Sequence, residues 1–155
     1  MRTAMVAGAL GKGLVAGAIG TAVMTASSTI EAKLTKREPS TAPADAASKV
    51  LGYTPTTDEA KAKFSNIVHW SYGTVLGAVR GVIGGAGFRG PFGTAAHLGG
   101  VWGSELVMLP KLDVVPPVNE WTRKDLAIDF FHHAVYAIST GLAYRALDLR
   151  RARHH

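Results

Sequence analysis

The chain alternates between four apolar stretches and shorter charged segments, and this alternation predicts four long helices. The first stretch covers residues 4–30 and is interrupted only by Lys12. The other three extend from residue 64 to about 88, from 90 to 109 and from about 123 to 147. A helix of about 20 apolar residues crosses a hydrocarbon core of about 30 Å. We therefore expect an all-α fold, a four-span transmembrane helical bundle.

Local capping signals place two of the helix starts. Thr56 and Glu59 form a Thr-x-x-Glu capping-box pattern before the second long helix, and Thr122 and Asp125 form a similar pattern before the fourth. A short helix is expected at 43–51, because a proline suits its first turn and a glycine follows its last residue.

Two pairs of segments resemble each other along the chain. Residues 69–81 read HWSYGTVLGAVRG and residues 133–145 read HAVYAISTGLAYR, with His, Tyr and Gly at matching positions. Residues 17–22, GAIGTA, are similar to residues 90–95, GPFGTA. We interpret the chain as one membrane domain, residues 1–155, built from two tandem helical-hairpin repeats. The first hairpin is expected at about 4–88, with a polar loop at 31–56. The second is expected at about 90–148, and Pro110 ends its first helix. A basic tail follows at 149–155.

Glycine is abundant, with 18 residues in the chain. In a soluble helix each interior Gly costs about 1 kcal/mol relative to Ala. In a membrane small residues let helices approach closely, so this composition favours transmembrane packing. The expected helix-packing positions are Gly13 and Gly17, which form a G-x-x-x-G motif, together with Gly73, Gly77 and Gly141.

Charge and composition narrow the function classes. The chain has no cysteine, which excludes disulfides, thiolate metal sites and thiol nucleophiles. Its net charge is +6, but the Lys and Arg residues flank apolar stretches, which indicates contact with membrane lipids and no nucleic-acid binding. Their distribution favours a membrane protein with both termini in the cytoplasm. Two alternatives stay open: a signal peptide at the N-terminus, and a soluble bundle, because mean hydropathy is only +0.14.

Ionisable residues within apolar helices are the candidate site residues, because they are costly there. Asp129, His132 and His133 lie near the start of the fourth helix, and both histidines are within one turn of the aspartate. Glu105 and His69 are expected at a similar depth on neighbouring helices. These five residues could form a metal site, as helix bundles build from carboxylates and imidazoles. His69 and His133 occupy repeat-equivalent positions, so they could instead bind haem b as a bis-His pair.

An alternative is that the histidines have a structural role and bind neither a metal ion nor haem. The histidines could simply hydrogen-bond to loops and water beside interfacial Tyr and Trp residues, in which case the protein needs no cofactor. Arg80 and His97 are expected nearer the opposite face, where Arg80 either packs between helices or contacts an anion. No Ser-His-Asp arrangement, P-loop or dinucleotide fingerprint appears, so the sequence favours a protein that is not an enzyme.

The pattern H-x-x-Y-G-x-x-x-G at residues 69–77, together with residues 17–24, resembles the YagU-like family of small bacterial integral membrane proteins of unknown function. The resemblance implies a helical inner-membrane protein with envelope or acid-stress roles. It implies no catalytic residues.

Three functions follow as hypotheses. The first is an accessory or structural subunit that packs against its own copies, as a homo-oligomer, or within a larger membrane complex, through its glycine-rich faces. The second is a membrane protein that binds a metal ion or haem. The third is a small oligomeric transporter or channel with Arg80, His97 and Glu105 along its path.

Overall fold

The computed structural model describes residues 2–38 and 40–152, and these form helices without any strand. The all-α prediction is therefore confirmed for this part of the chain. The helices are α1 at Arg2–Thr35, α2 at Ala42–Leu51, α3 at Asp58–Gly85, α4 at Gly90–Lys111 and α5 at Arg123–Ala152, with a single 3-10 turn at Val118–Glu120. The last three residues of the predicted basic tail lie outside the described residues: Arg153, His154 and His155.

Helix α1 lies at the centre of the bundle, packed along both α3 and α5, while α4 packs mainly against α5. Glycines bring α1 and α3 into backbone contact. A Cβ atom built on Gly17 would lie 2.7 Å from the Cα of Gly77, and one built on Gly13 would lie 2.5 Å from the carbonyl oxygen of Gly77. Any side chain at these positions would separate the two helices, so the glycines fix their spacing.

A threonine packs on a glycine in each hairpin. A Cβ on Gly73 would collide with Thr21, and a Cβ on Gly141 would collide with Thr94. Thr21 and Thr94 each donate a hydrogen bond to the carbonyl four residues earlier in the chain, at 2.8 and 3.3 Å. Thr21 matches Thr94 in the sequence repeat, but Gly141 matches Gly77 and not Gly73. The two hairpins therefore differ in register by about one helical turn.

Two predicted helix ends are confirmed. At the start of α5, Asp125 N–H donates to Thr122 Oγ1 at 3.1 Å and Thr122 N–H donates to Asp125 Oδ2 at 3.3 Å, which is a reciprocal capping box. Helix α2 ends at Gly52, whose φ of 63° is the left-handed conformation that glycine adopts without strain.

Three other boundaries differ from the prediction. Helix α1 continues through residue 31 to Thr35, because Glu31 accepts hydrogen bonds from Thr35 and Arg37 that hold the extra turn. The cap of α3 is Thr57, whose hydroxyl accepts from Ala60 N–H at 3.2 Å, so the pattern at Thr56 is not used. Helix α4 runs past Pro110, since proline late in a helix disrupts only its final hydrogen bonds.

Only one helix among the described residues is long and apolar enough to cross a membrane by length and composition. It covers Thr3–Thr35, near the N-terminus, and about a third of its most apolar window (33%) is buried inside the protein. Core helices of soluble proteins and signal sequences meet the same criterion. Helices α3, α4 and α5 fall short of it, because glycine, histidine and charged residues lower their hydropathy.

We expect Gly77→Leu to separate α1 from α3 and to lower the thermal unfolding midpoint, because overpacking of this kind costs about 1–3 kcal/mol or more. The measurement is circular dichroism of the protein purified in mild detergent. Gly100→Ala is the matched control, since a Cβ at Gly100 meets nothing within 4 Å. Equal midpoints for wild type and Gly77→Leu would contradict the proposed role of the glycine contact.

Candidate metal site

A cavity of about 990 Å³ lies among α1, α3, α4 and α5, at the end of the bundle that carries α2 and the segment before α5. Polar side chains of α1, including Thr25 and Ser28, form one wall, and Tyr136 lines the cavity from α5. All five residues predicted as metal ligands line this cavity: His69, Glu105, Asp129, His132 and His133. This placement agrees with the prediction that the five residues lie at a similar depth in the bundle.

Three of the five residues converge closely. Glu105, Asp129 and His133 offer ligand atoms that all lie within 4.8 Å of one another, so this cluster could hold a metal ion. His133 Nε2 pairs with the Glu105 carboxylate, and His133 Nδ1 lies 3.7 Å from Asp129 Oδ1. His133 is buried and the two carboxylates are half-buried, which strengthens charge interactions among them relative to water.

Two further hydrogen bonds orient the side chains of His133 and Asp129. His133 Nδ1 lies 2.8 Å from the backbone carbonyl of Asp129. A carbonyl oxygen can only accept, so Nδ1 carries the proton and Nε2 points into the cluster. Trp102 Nε1–H donates to Asp129 Oδ2 at 2.7 Å. Histidines that ligate metals characteristically donate their second ring N–H in this way.

His132 turns away from the cluster, which corrects its prediction as a ligand beside His133. Its Nδ1 lies 3.1 Å from Ser27 Oγ, and its Nε2 lies 3.6 Å from Glu31 Oε2, both on α1. Consecutive residues of a helix are about 100° apart around its axis, so neighbouring histidines cannot face the same partner. Arg37 Nη2 in turn donates to Glu31 Oε2 at 2.7 Å.

His69 also lies outside the cluster, although it lines the same cavity. Its Nε2 is 2.8 Å from Thr25 Oγ1. A bis-His haem would need Nε2 of His69 and Nε2 of His133 on opposite sides of one iron. Here these atoms face Thr25 and Glu105 respectively, so the described geometry does not present the predicted haem pair.

Arg80 and His97 lie deeper in the bundle and do not line the cavity. Arg80 is only 2% exposed, and its guanidinium lies over the Tyr144 ring at 4.7 Å from the centroid. His97 is fully buried, donates from Nε2 to the Leu76 carbonyl at 3.1 Å, and packs against Tyr136. Arg80 is thus held against an aromatic ring inside the bundle.

Sequence reasoning missed Trp102 and Tyr136. Neither was a candidate site residue, whereas Trp102 donates to Asp129 and Tyr136 donates from its hydroxyl to the Gly73 carbonyl at 2.6 Å. Antiparallel alignment of α4 with α5 was the only signal for Trp102, since it places this residue level with Asp129.

The donor set suits a divalent metal. One imidazole nitrogen and two carboxylates would neutralise the charge of such an ion, and three protein ligands leave coordination positions for outside ligands. The imidazole nitrogen that ligates a metal must be free of its proton, so metal binding at this cluster would be favoured at higher pH.

Comparisons of this chain with protein-family models, with curated proteins and with solved structures find no match in any of the three. The resemblance to the YagU-like proteins therefore stays a prediction.

Proposed function

We propose that this protein is an integral membrane protein that binds a divalent transition-metal ion through Glu105, Asp129 and His133. One observation carries the proposal: side chains from two helices bring three ligand atoms within 4.8 Å of one another, inside a cavity. Two hydrogen bonds support it, from Trp102 to the Asp129 carboxylate and from His133 to the Asp129 backbone carbonyl, because they orient the ligand side chains in the absence of an ion.

The mixture of ligands favours Zn²⁺ or Mn²⁺ among the common ions. Imidazole nitrogen suits zinc and other first-row metals, whereas carboxylate oxygens also suit manganese. Calcium and magnesium prefer six or more oxygen ligands, which this cluster does not supply.

Placement in a membrane is part of the proposal and rests on the outer surface as well as on α1. Large apolar side chains are exposed on each of the four long helices: Val15 and Ile19 on α1, Val75 and Val79 on α3, Phe92 and Val107 on α4, and Ile138 and Leu142 on α5. Lipid would cover these side chains in a four-span arrangement, in which α3 to α5 tolerate their polar residues because those face the bundle interior.

We expect His133→Gln to weaken Zn²⁺ binding by at least about 100-fold, because even changes behind the ligands cost about 10–100-fold. Isothermal titration of detergent-purified protein measures the affinity, and elemental analysis measures the metal content. His132→Gln is the matched control, since this adjacent histidine faces α1. Equal affinity for the two variants, or no binding by wild type, would refute the assignment.

Trp102→Phe should weaken Zn²⁺ binding by about tenfold, because it removes the N–H that orients Asp129 but keeps an aromatic ring against Phe130. The same titration measures this change. Trp121→Phe serves as the control, because Trp121 lines the same cavity but donates to Pro116. Similar losses in both variants would mean that Trp102 acts only through general packing.

The four-span arrangement predicts that residue 58 and residue 88 lie on opposite sides of the membrane. The chain has no cysteine, so Asp58→Cys and Phe88→Cys each introduce a single reactive site. A membrane-impermeant maleimide should label one variant in intact cells and the other only after permeabilisation. Labelling of both from the same side would exclude a membrane crossing by α3.

A second candidate function is an accessory subunit, which is favoured by the same exposed apolar side chains. Partner helices could cover these faces in place of lipid. Purification from membranes in mild detergent distinguishes the two functions, because an accessory subunit would bring stoichiometric partners whether or not its metal ligands are intact.

A further inference from the structure

A second, smaller cavity of about 310 Å³ adjoins the metal-site cavity. It lies among α2, α3 and α4, and its lining is almost entirely apolar, including Ala46, Val68 and Leu109. Tyr72 and Glu105 line both cavities. The apolar chamber therefore adjoins the polar cavity, and Glu105, a ligand of the proposed metal site, lies between them.

Helix α2 forms the outer wall of the apolar chamber. Ala44 and Ala46 are buried, and the small size of Ala46 preserves the space. At the rim, Val50 and Leu51 are about two-thirds exposed, at 69% and 67%, so apolar side chains lead from the surface into the chamber. A molecule with an apolar tail could enter here directly from a bilayer.

One cation of the polar cavity, Lys33, is available to the other end of such a molecule, in a lining that also holds Glu120 and Asp125 outside the metal cluster. Lys33 lines the cavity, is exposed, and has no ion-pair partner among the residues that the structure describes. A divalent ion held by two carboxylates is electrically neutral, so an additional carboxylate could fill an open coordination position while Lys33 balances its charge. Pockets of these two sizes match the range that small ligands occupy.

We propose that the site binds a single-chain amphiphile that ends in a carboxylate, with its tail between α2, α3 and α4 and its head on the metal. This inference rests on the proposed function, because it assigns the ligand that completes the metal site. An alkyl alcohol of the same length would bind more weakly, since it has no anionic oxygen for the metal or for Lys33.

The test uses the full-length protein in phosphatidylcholine nanodiscs loaded with Zn²⁺, and a long-chain fatty acid that carries a photoreactive diazirine in its tail. We expect crosslinks to map by mass spectrometry to residues 46–51 and to α3 or α4 near Val68 and Met108. Ala46→Trp should reduce labelling by about tenfold or more, because it fills the space in which the tail is buried.

Ala127→Trp is the matched control, because Ala127 is exposed on α5 and lines neither cavity. Chelation of the metal and Lys33→Glu should each reduce labelling several-fold. Equal labelling of the Ala46→Trp and Ala127→Trp proteins, or labelling that persists after chelation, overturns the inference.

The titration of Zn²⁺ separates this inference from the proposed function. If Ala46→Trp binds Zn²⁺ as wild type does but labelling is insensitive to that substitution, the amphiphile assignment fails and the metal site stands. If wild type binds no metal, both fail together.

Discussion

The bundle depends on the backbone contact between α1 and α3. Gly17 and Gly77 meet so closely that no side chain fits between them, and Gly13 extends this contact toward the N-terminus. Further along α1, glycine gives way to Thr25, Ser28 and Thr29, and the cavity lies there. Close packing in one half of the bundle therefore accompanies an open, polar chamber in the other half, where the ionisable residues collect.

Arg80 is a buried cation near the glycine-rich half of the bundle, and its burial costs folding free energy. Arg80 has two guanidinium nitrogens, Nε and Nη1, without a hydrogen-bond partner among the described residues, and each such group costs about 1–3 kcal/mol. Contact with the Tyr144 ring offsets part of this cost. Gly84 makes the contact possible, because a Cβ there would lie 2.7 Å from the Tyr144 ring. The small residues thus accommodate a cation as well as a helix.

Much of this fold could be predicted from sequence, because helix ends depend on local chemistry. The capping box at Thr122 and the terminal Gly52 are short-range features, and both predictions are correct. The extra turn of α1 depends on Arg37 reaching back to Glu31, which no local rule revealed.

The site was predicted in its composition but not in its geometry. Depth along the helices predicted that five polar residues lie near one face, and all five line one cavity. Rotation around each helix decided which of them converge, and only the packing of α5 between α1 and α4 separates His132 from His133. The role of Trp102 was missed, because it depends on the level at which α4 meets α5 and not on any local pattern.

Helix α2 is joined to the bundle that it covers by apolar packing and by few polar contacts. It packs on α3, and its buried side chains, Ala44 and Ala46, are small. One exposed hydrogen bond, from Lys49 Nζ to the Asp113 carbonyl at 3.0 Å, links it to the segment after α4 and contributes about 1 kcal/mol. The residence time of any molecule in the chamber beneath α2 would then depend on how often its packing on α3 opens, as well as on the contacts inside the chamber.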